Sequence, residues 1–190
     1  MNVKESWKKF WKFLNEDSWQ SWLISLILAF VIIKFVFFPV LSLITGSGLP
    51  LVVVESCSMY HGSNFDSWWQ EKKLWYEDND IEKGDFEEFP FNSGLNKGDI
   101  ILIWDRGIVE EGDIIVFNAN YRNPLIHRVV EFDGNYSTKG DHNPTQLDVE
   151  REINPNNLIG RAVLRVPALG WAKLIFFEGS RPAEQRGFCR

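Results

Sequence analysis

The sequence predicts a mainly β domain, a sandwich or partly closed barrel, joined to one N-terminal transmembrane helix. Three observations predict it: an apolar run near the N-terminus, six short β-branched segments bounded by Gly, Asp and Pro turns, and two Gly-Asp turns that each feed an apolar strand. The 190 residues hold 20 Lys+Arg against 26 Asp+Glu, a net charge of −6, with 45% hydrophobic and 15% aromatic residues. This apolar content supplies a core and excludes a disordered chain or a disulfide-dense miniprotein. The acidic balance excludes nucleic acid as the main partner, because no basic excess exists to replace condensed counterions.

The first element is the apolar run Trp22 to Ile44, in which Lys34 is the one charge and which is long enough to cross about 30 Å of hydrocarbon as a helix. The preceding stretch mixes Lys4, Lys8, Lys9 and Lys12 with Trp7, Phe10 and Trp11, a composition suited to a membrane surface. We therefore expect a cytoplasmic amphipathic segment over 1–19, a transmembrane helix over 20–45 and, by the positive-inside bias, an extracytoplasmic domain over 46–179 with a tail at 180–190. A cleaved signal peptide is the competing reading; the apolar run exceeds the usual 7 to 15 residues, and no A-x-A-like site follows it. Lys34 requires compensation, by snorkelling or by a partner membrane protein.

Strands are expected at Leu51 to Glu55, Lys97 to Trp104, Glu111 to Asn118, Leu125 to Phe132, Asn135 to Thr138 and Leu158 to Val166. Between the first two lies an insertion over 60–95, whose nine acids and three lysines give 3 − 9 = −6, alongside Trp68, Trp69 and Trp75. It reads either as a partly ordered loop packed on its own aromatics or as a lid or membrane contact beside a site. The apolar part of Ala162 to Phe177 is interrupted by Arg165, Pro167 and Lys173 and is expected to pack on the β domain or rest at the membrane surface rather than span it.

Three local signatures carry chemistry: SCSM at Ser56 to Met59, IHRVV at Ile126 to Val130, and TKGDHNPTQLD at Thr138 to Asp148. Together they supply a hydroxyl, an imidazole and a carboxylate. A serine becomes a good nucleophile when a neighbouring base takes its proton, and an acid behind the base orients and stabilises it.

The ordered set, behind a membrane anchor and interleaved with the two Gly-Asp turns, resembles signal peptidase I, specifically its archaeal and endoplasmic-reticulum branch with histidine as the base. The resemblance implies a membrane-anchored serine endopeptidase that removes signal peptides from exported preproteins through an acyl-enzyme. It implies Ser58 as nucleophile, His127 as general base, Asp148 as the acid orienting it with Asp141 in support, and the Ser56 hydroxyl with the Ser58 backbone N–H as the oxyanion hole. Substrates would lie extended along a strand edge with small side chains at alternate positions. The apolar run and the segment before it imply contact with membrane lipid, and Lys34 leaves a membrane partner protein as the alternative to snorkelling. The departures are Cys57 where the family has Gly, Tyr60-His61-Gly62 in place of an early Pro, and the long insertion.

Other residues receive plainer readings. His61 and His142 are expected to be loop histidines, and Arg128 to form a structural ion pair. Lys139 offers an alternative Ser-Lys dyad. Cys57 and Cys189 have no metal or CxxC spacing and are expected to be a packed thiol and an exposed unpaired one. No metal or cofactor is expected. A non-catalytic anchored β domain, serving as a binding or assembly subunit, is the alternative to the peptidase.

Overall fold

The computed structural model describes residues 3–62 and 64–189. The chain divides into two units, 1–44 and 45–190. In the first, helix α1 (Val3–Leu14) has Lys4, Lys8 and Lys12 at one-turn spacing. A second helix begins at Trp19, capped by Ser18, whose hydroxyl accepts from the Ser21 N–H at 3.2 Å.

This apolar helix runs over Trp19–Thr45 and is long and apolar enough to cross a membrane. It consists of α2 (Trp19–Ile32), a π-helical stretch (Ile33–Phe37) and α3 (Phe38–Thr45). Pro39 lacks an N–H and would crowd a regular preceding turn; the wider turn, closed by Phe38 N–H on the Ile33 carbonyl, sits just before it. Lys34 lies in that turn, its Nζ 5.7 Å from the Phe30 ring centre and 5.5 Å from that of Phe35. Its charge thus meets aromatic faces of its own helix.

The second unit is built on one six-stranded antiparallel sheet: β1 (Leu51–Val53), β2 (Ile100–Trp104), β3 (Ile114–Phe117), β4 (Leu125–Phe132), β5 (Tyr136–Lys139) and β6 (Leu158–Val166). The order is β1-β2-β6-β3-β4-β5, so the sheet is open. The mainly β expectation holds, with all six strands in this single sheet. Alternation along β3 sends Ile114 and Val116 into a core with Met59, Leu95 and Ile101, and Ile115 and Phe117 into another with Val129, Tyr136 and Ile153.

Both Gly-Asp turns use the same device. Gly98 (φ 93°) and Gly112 (φ 87°) take the left-handed conformation that glycine adopts without a steric penalty. The following carboxylates accept backbone N–H bonds, Asp99 from Asn96 at 2.8 Å and Asp113 from Glu110 at 3.0 Å. The turn carboxylates are therefore engaged in local structure.

The 60–95 insertion is helical: α4 (Phe65–Glu77), capped by Asn64, and α5 (Lys83–Glu88), where Asp85 accepts from the Glu82 N–H. Trp68, Trp69, Tyr76, Ile81 and Phe86 bury themselves together against Val130 of β4. Its aromatics form a satellite core on the sheet. After β6, the short helix α6 (Trp171–Leu174) buries Leu174.

Cys57 and Cys189 form a disulfide across a sequence separation of 132, correcting the expectation of two separate thiols. In the chain-entropy account a loop of this length contributes about 4 to 5 kcal/mol by constraining the unfolded chain. Phe86→Ala should cost about 3 to 5 kcal/mol, since it empties the centre of the aromatic cluster. Denaturant unfolding followed by tryptophan fluorescence would check this; a loss below 1 kcal/mol would mean that the cluster does not stabilise the domain.

Candidate active site

The segment bearing Ser58 follows β1. Val54 is tied to the first Gly-Asp turn: its N–H donates to the Asp99 carbonyl at 2.9 Å, and its own carbonyl accepts from the Gly98 N–H at 2.8 Å. Beyond the serine, Met59 is fully buried in the main core. The Ser58 carbonyl accepts from the His142 N–H at 2.8 Å. An apolar side chain and a backbone bond thus fix the turn on the far side of a half-buried serine.

His127 and Arg128 are consecutive on β4, and strand alternation sends them to opposite faces. His127, on the Val129 side, is buried with Nε2 2.9 Å from Ser58 Oγ. Its Nδ1 meets Glu150 Oε1. Glu150 is fully buried on a 3₁₀ turn (Asp148–Glu150), its Oε1 accepting from Thr138 Oγ1 at 3.3 Å and its Oε2 from the Leu147 N–H at 2.6 Å. With Glu150 as a carboxylate, Nδ1 carries the imidazole proton, leaving Nε2 free to accept from the Ser58 hydroxyl. Ser56 Oγ lies 3.1 Å from Ser58 Oγ. Among the described residues the Ser58 N–H donates to no acceptor. A hydroxyl, an imidazole and a carboxylate therefore stand in hydrogen-bond contact, with the Ser56 hydroxyl beside them.

The carboxylate that meets His127 is Glu150, and neither Asp148 nor Asp141 is in contact with the imidazole. Asp148 is fully exposed and pairs only loosely with Arg151, at 3.9 Å. The 3₁₀ turn faces it toward solvent and brings Glu150, two residues on, to His127. Asp141 is also elsewhere, buried and bidentate to Arg128 at 2.8 and 3.0 Å. Glu150 was not singled out because the resemblance directs attention to aspartates near a fixed spacing after TKGD, and a Glu buried after a short turn leaves no mark in an acid-rich sequence.

Arg128 spends all five N–H donors: two on Asp141 and the others on the carbonyls of Pro90, Gly112 and Phe91 at 2.8 to 3.0 Å. His61 Nε2 reaches Asp141 at 2.9 Å while its ring stacks on Trp68 at 3.7 Å. His61 is thus buried within this network. His142 Nδ1 bonds the Tyr60 carbonyl at 3.0 Å. Burial alone would raise the Asp141 carboxyl, but the Arg128 charge and the His61 bond more than reverse this and hold it well below the usual range. Lys139, the alternative base, donates to Tyr76 Oη at 3.5 Å and the Gly140 carbonyl at 3.2 Å and rests on the rings of Trp75 and Tyr76. Its contacts are with the insertion and the adjacent Gly140 carbonyl, and Ser58 is not among its bonds.

No protein-family model matches the chain. Among curated proteins, the signal peptidase complex catalytic subunit of Chaetomium globosum is 29% identical over 98 residues, covering 44% of this chain and 57% of the relative. That of Pyricularia oryzae is 30% identical over the same extent, and that of Scheffersomyces stipitis is 27% identical over 157 residues, 76% of this chain and 75% of the relative. The chain is similar to catalytic subunits of signal peptidase complexes. It spans little more than half the length of the first two relatives. The long match includes more of the chain than the short motifs alone, and the geometry joins two of those motifs, SCSM and IHRVV, at one hydrogen bond.

Glycine at the centre of TKGD has a steric reason. A Cβ on Gly140 would lie 2.9 Å from His127 Nε2, 2.9 Å from the Ser58 carbonyl oxygen and 2.7 Å from Asn143 Nδ2. Gly140→Ala should push the imidazole off Ser58 and slow labelling of Ser58 by a serine-directed phosphonate about 10²-fold, as expected for a misplacement near 1 Å. Labelling at the wild-type rate would show that the contact tolerates the methyl group.

Burial, opposed by the Asp141 charge, lowers the Lys139 pKa from 10.5 to about 8. A lysine whose native pKa lies below its unfolded value penalises the folded state below pH 8, and the penalty fades as pH rises toward about 10.4. Lys139→Met should remove that alkaline gain in stability while leaving any Ser58 chemistry in place. Parallel unfolding curves at pH 7 and 9.5, with phosphonate labelling at pH 7, would check both; loss of labelling in a folded variant would restore the Ser-Lys dyad.

Proposed function

We propose that this chain is a membrane-anchored serine endopeptidase that removes N-terminal signal peptides from exported proteins, with Ser58, His127 and Glu150 as its catalytic residues. The observation that carries the reading is the linear set Ser58 Oγ, His127 and Glu150, in hydrogen-bond contact on a chain homologous to signal peptidase catalytic subunits. Ser58 attacks the scissile carbonyl while His127 Nε2 takes its proton. Glu150 holds the imidazole through Nδ1 and stabilises its charged form. The tetrahedral oxyanion is met by the Ser58 N–H and the Ser56 hydroxyl. His127 then protonates the leaving amine, and water, activated by the same base, releases the acyl group from Ser58. Asp141 acts in this account as a structural partner of Arg128.

The apolar helix Trp19–Thr45 anchors the enzyme, with the lysine-bearing α1 on the cytoplasmic surface and the β domain outside. The Cys57–Cys189 bond supports that side, because disulfides persist in oxidising compartments. The relatives belong to signal peptidase complexes, which supports a membrane partner for this chain too. Substrate lies extended along a sheet edge and offers small side chains near the scissile bond.

Cleavage of a model preprotein in detergent, with product termini read by mass spectrometry, tests the reading. Ser58→Ala should abolish cleavage and Glu150→Gln should lower kcat by about 10² to 10⁴-fold, as loss of an orienting acid does elsewhere, while Asp148→Asn stays within about twofold. A reversed ranking of Glu150 and Asp148 would overturn the assignment of the acid. A folded wild type that binds preprotein without cleaving it would leave the binding subunit.

A further inference from the structure

The residues just before the proposed nucleophile are held from a distant part of the chain. Val54 is the last residue before Ser58 with a backbone bond to the first Gly-Asp turn. The Cys57 carbonyl is used within its own turn, accepting from the Tyr60 N–H at 3.1 Å. The Glu55 carbonyl accepts from Arg181 Nη1 at 3.0 Å, and the Glu55 carboxylate meets Arg181 Nη2 at 2.7 Å and Lys173 Nζ at 3.0 Å. Cys57 is bonded to Cys189.

The far end of this attachment is a built structure. Lys97, buried in the first Gly-Asp turn, sends Nζ to Glu178 Oε2 at 3.0 Å and to the carbonyls of Gln185 at 2.7 Å and Gly187 at 3.0 Å. The Gly187 N–H returns to Glu178 Oε2 at 2.7 Å, and Phe188 packs on Trp171 with ring centres 4.6 Å apart. A ring therefore closes: the Lys97-Gly98-Asp99 turn holds Val54 on one side and the segment from Glu178 to Phe188 on the other. That segment in turn grips Glu55 and Cys57.

We propose that Cys57, Cys189, Glu55 and Arg181 are positioning residues that hold Ser58 Oγ on His127, so that turnover depends on the oxidation state of the Cys57–Cys189 bond. This inference rests on the peptidase reading above. Reduction by a dithiol breaks the S–S bond; each Sγ gains one electron and one proton, and the dithiol closes to its own disulfide. The base and acid side of the site, His127 and Glu150, is untouched. The loss should therefore fall on the chemical step rather than on substrate binding.

The test uses the full chain in detergent with a quenched peptide spanning a signal-peptide cleavage site. Each rate is normalised to the folded fraction from near-ultraviolet circular dichroism. Reduction of the wild type and Cys189→Ser should each lower kcat about tenfold with KM within about twofold, the pattern of a displaced nucleophile. Re-oxidation should restore the wild type and not Cys189→Ser. Arg181→Gln should lower kcat in the same direction with the disulfide intact, and decides together with reduction should Cys189→Ser fail to fold. Folded, reduced enzyme with unchanged kcat, or a loss confined to KM, overturns the proposal alone. An oxidised, folded wild type that cleaves nothing overturns the peptidase reading and this inference with it.

Discussion

The second unit is organised around the buried ion pair between Arg128 and Asp141. Two charges without solvent exposure are costly unless each finds full compensation, and removing either partner from such a pair typically costs about 3 to 5 kcal/mol. Compensation here is complete on the arginine side, with five donors on five bonds reaching Asp141, Gly112 and the Pro90-Phe91 backbone. Those acceptors come from the loop after β5, the second Gly-Asp turn and the end of the insertion. One guanidinium thus fixes the relative positions of three segments and, through its place on β4, the strand carrying His127.

This geometry decides what the insertion is. Phe86 lies under the Arg128 guanidinium at 4.6 Å, Trp68 stacks on His61, and Tyr76 donates to Asp141 at 3.3 Å. Burial and then the Asp141 charge push the Tyr76 phenol well above its ordinary value, keeping it a neutral donor. The aromatics cover the charged face of β4 from water and give Lys139 two rings to rest on. A freely opening lid would have to expose an ion pair and a lysine together, so these contacts favour a structural cover.

The strands were legible because each has a local cause. Alternation places Ile101 and Ile103 of β2 in the core, and the Gly-Asp turns announce themselves through a positive φ and a side-chain cap. Ser58 and His127 were singled out through the family resemblance of SCSM and IHRVV and not through any local periodicity, and the structure places the two side chains in hydrogen-bond contact. The insertion helices were not: their buried aromatics sit among nine acids, which masks the apolar face. Glu150 was hidden for a related reason, since its role depends on a turn that reverses the exposure of residues two apart. The disulfide was beyond local patterns altogether, because 132 intervening residues say nothing about two ends that meet only after the sheet and the Lys97 turn have formed.

Cys57 ties these points together. Where the resembling family has glycine between the two serines, this chain has a residue that narrows backbone freedom and adds a covalent tether one position from Ser58. Behind Ser58 the backbone is held by buried Met59 and the His142 N–H bond, whereas before it the last backbone bond to the first Gly-Asp turn is at Val54. The tether and the Glu55–Arg181 pair supply the missing restraint from the opposite direction. On the other side of the hydrogen bond, Thr138 and the Leu147 N–H restrain Glu150 just as closely. The Ser58–His127 contact is therefore bounded by constraints at both ends, and Gly140, with no room for a methyl group, closes it from the side.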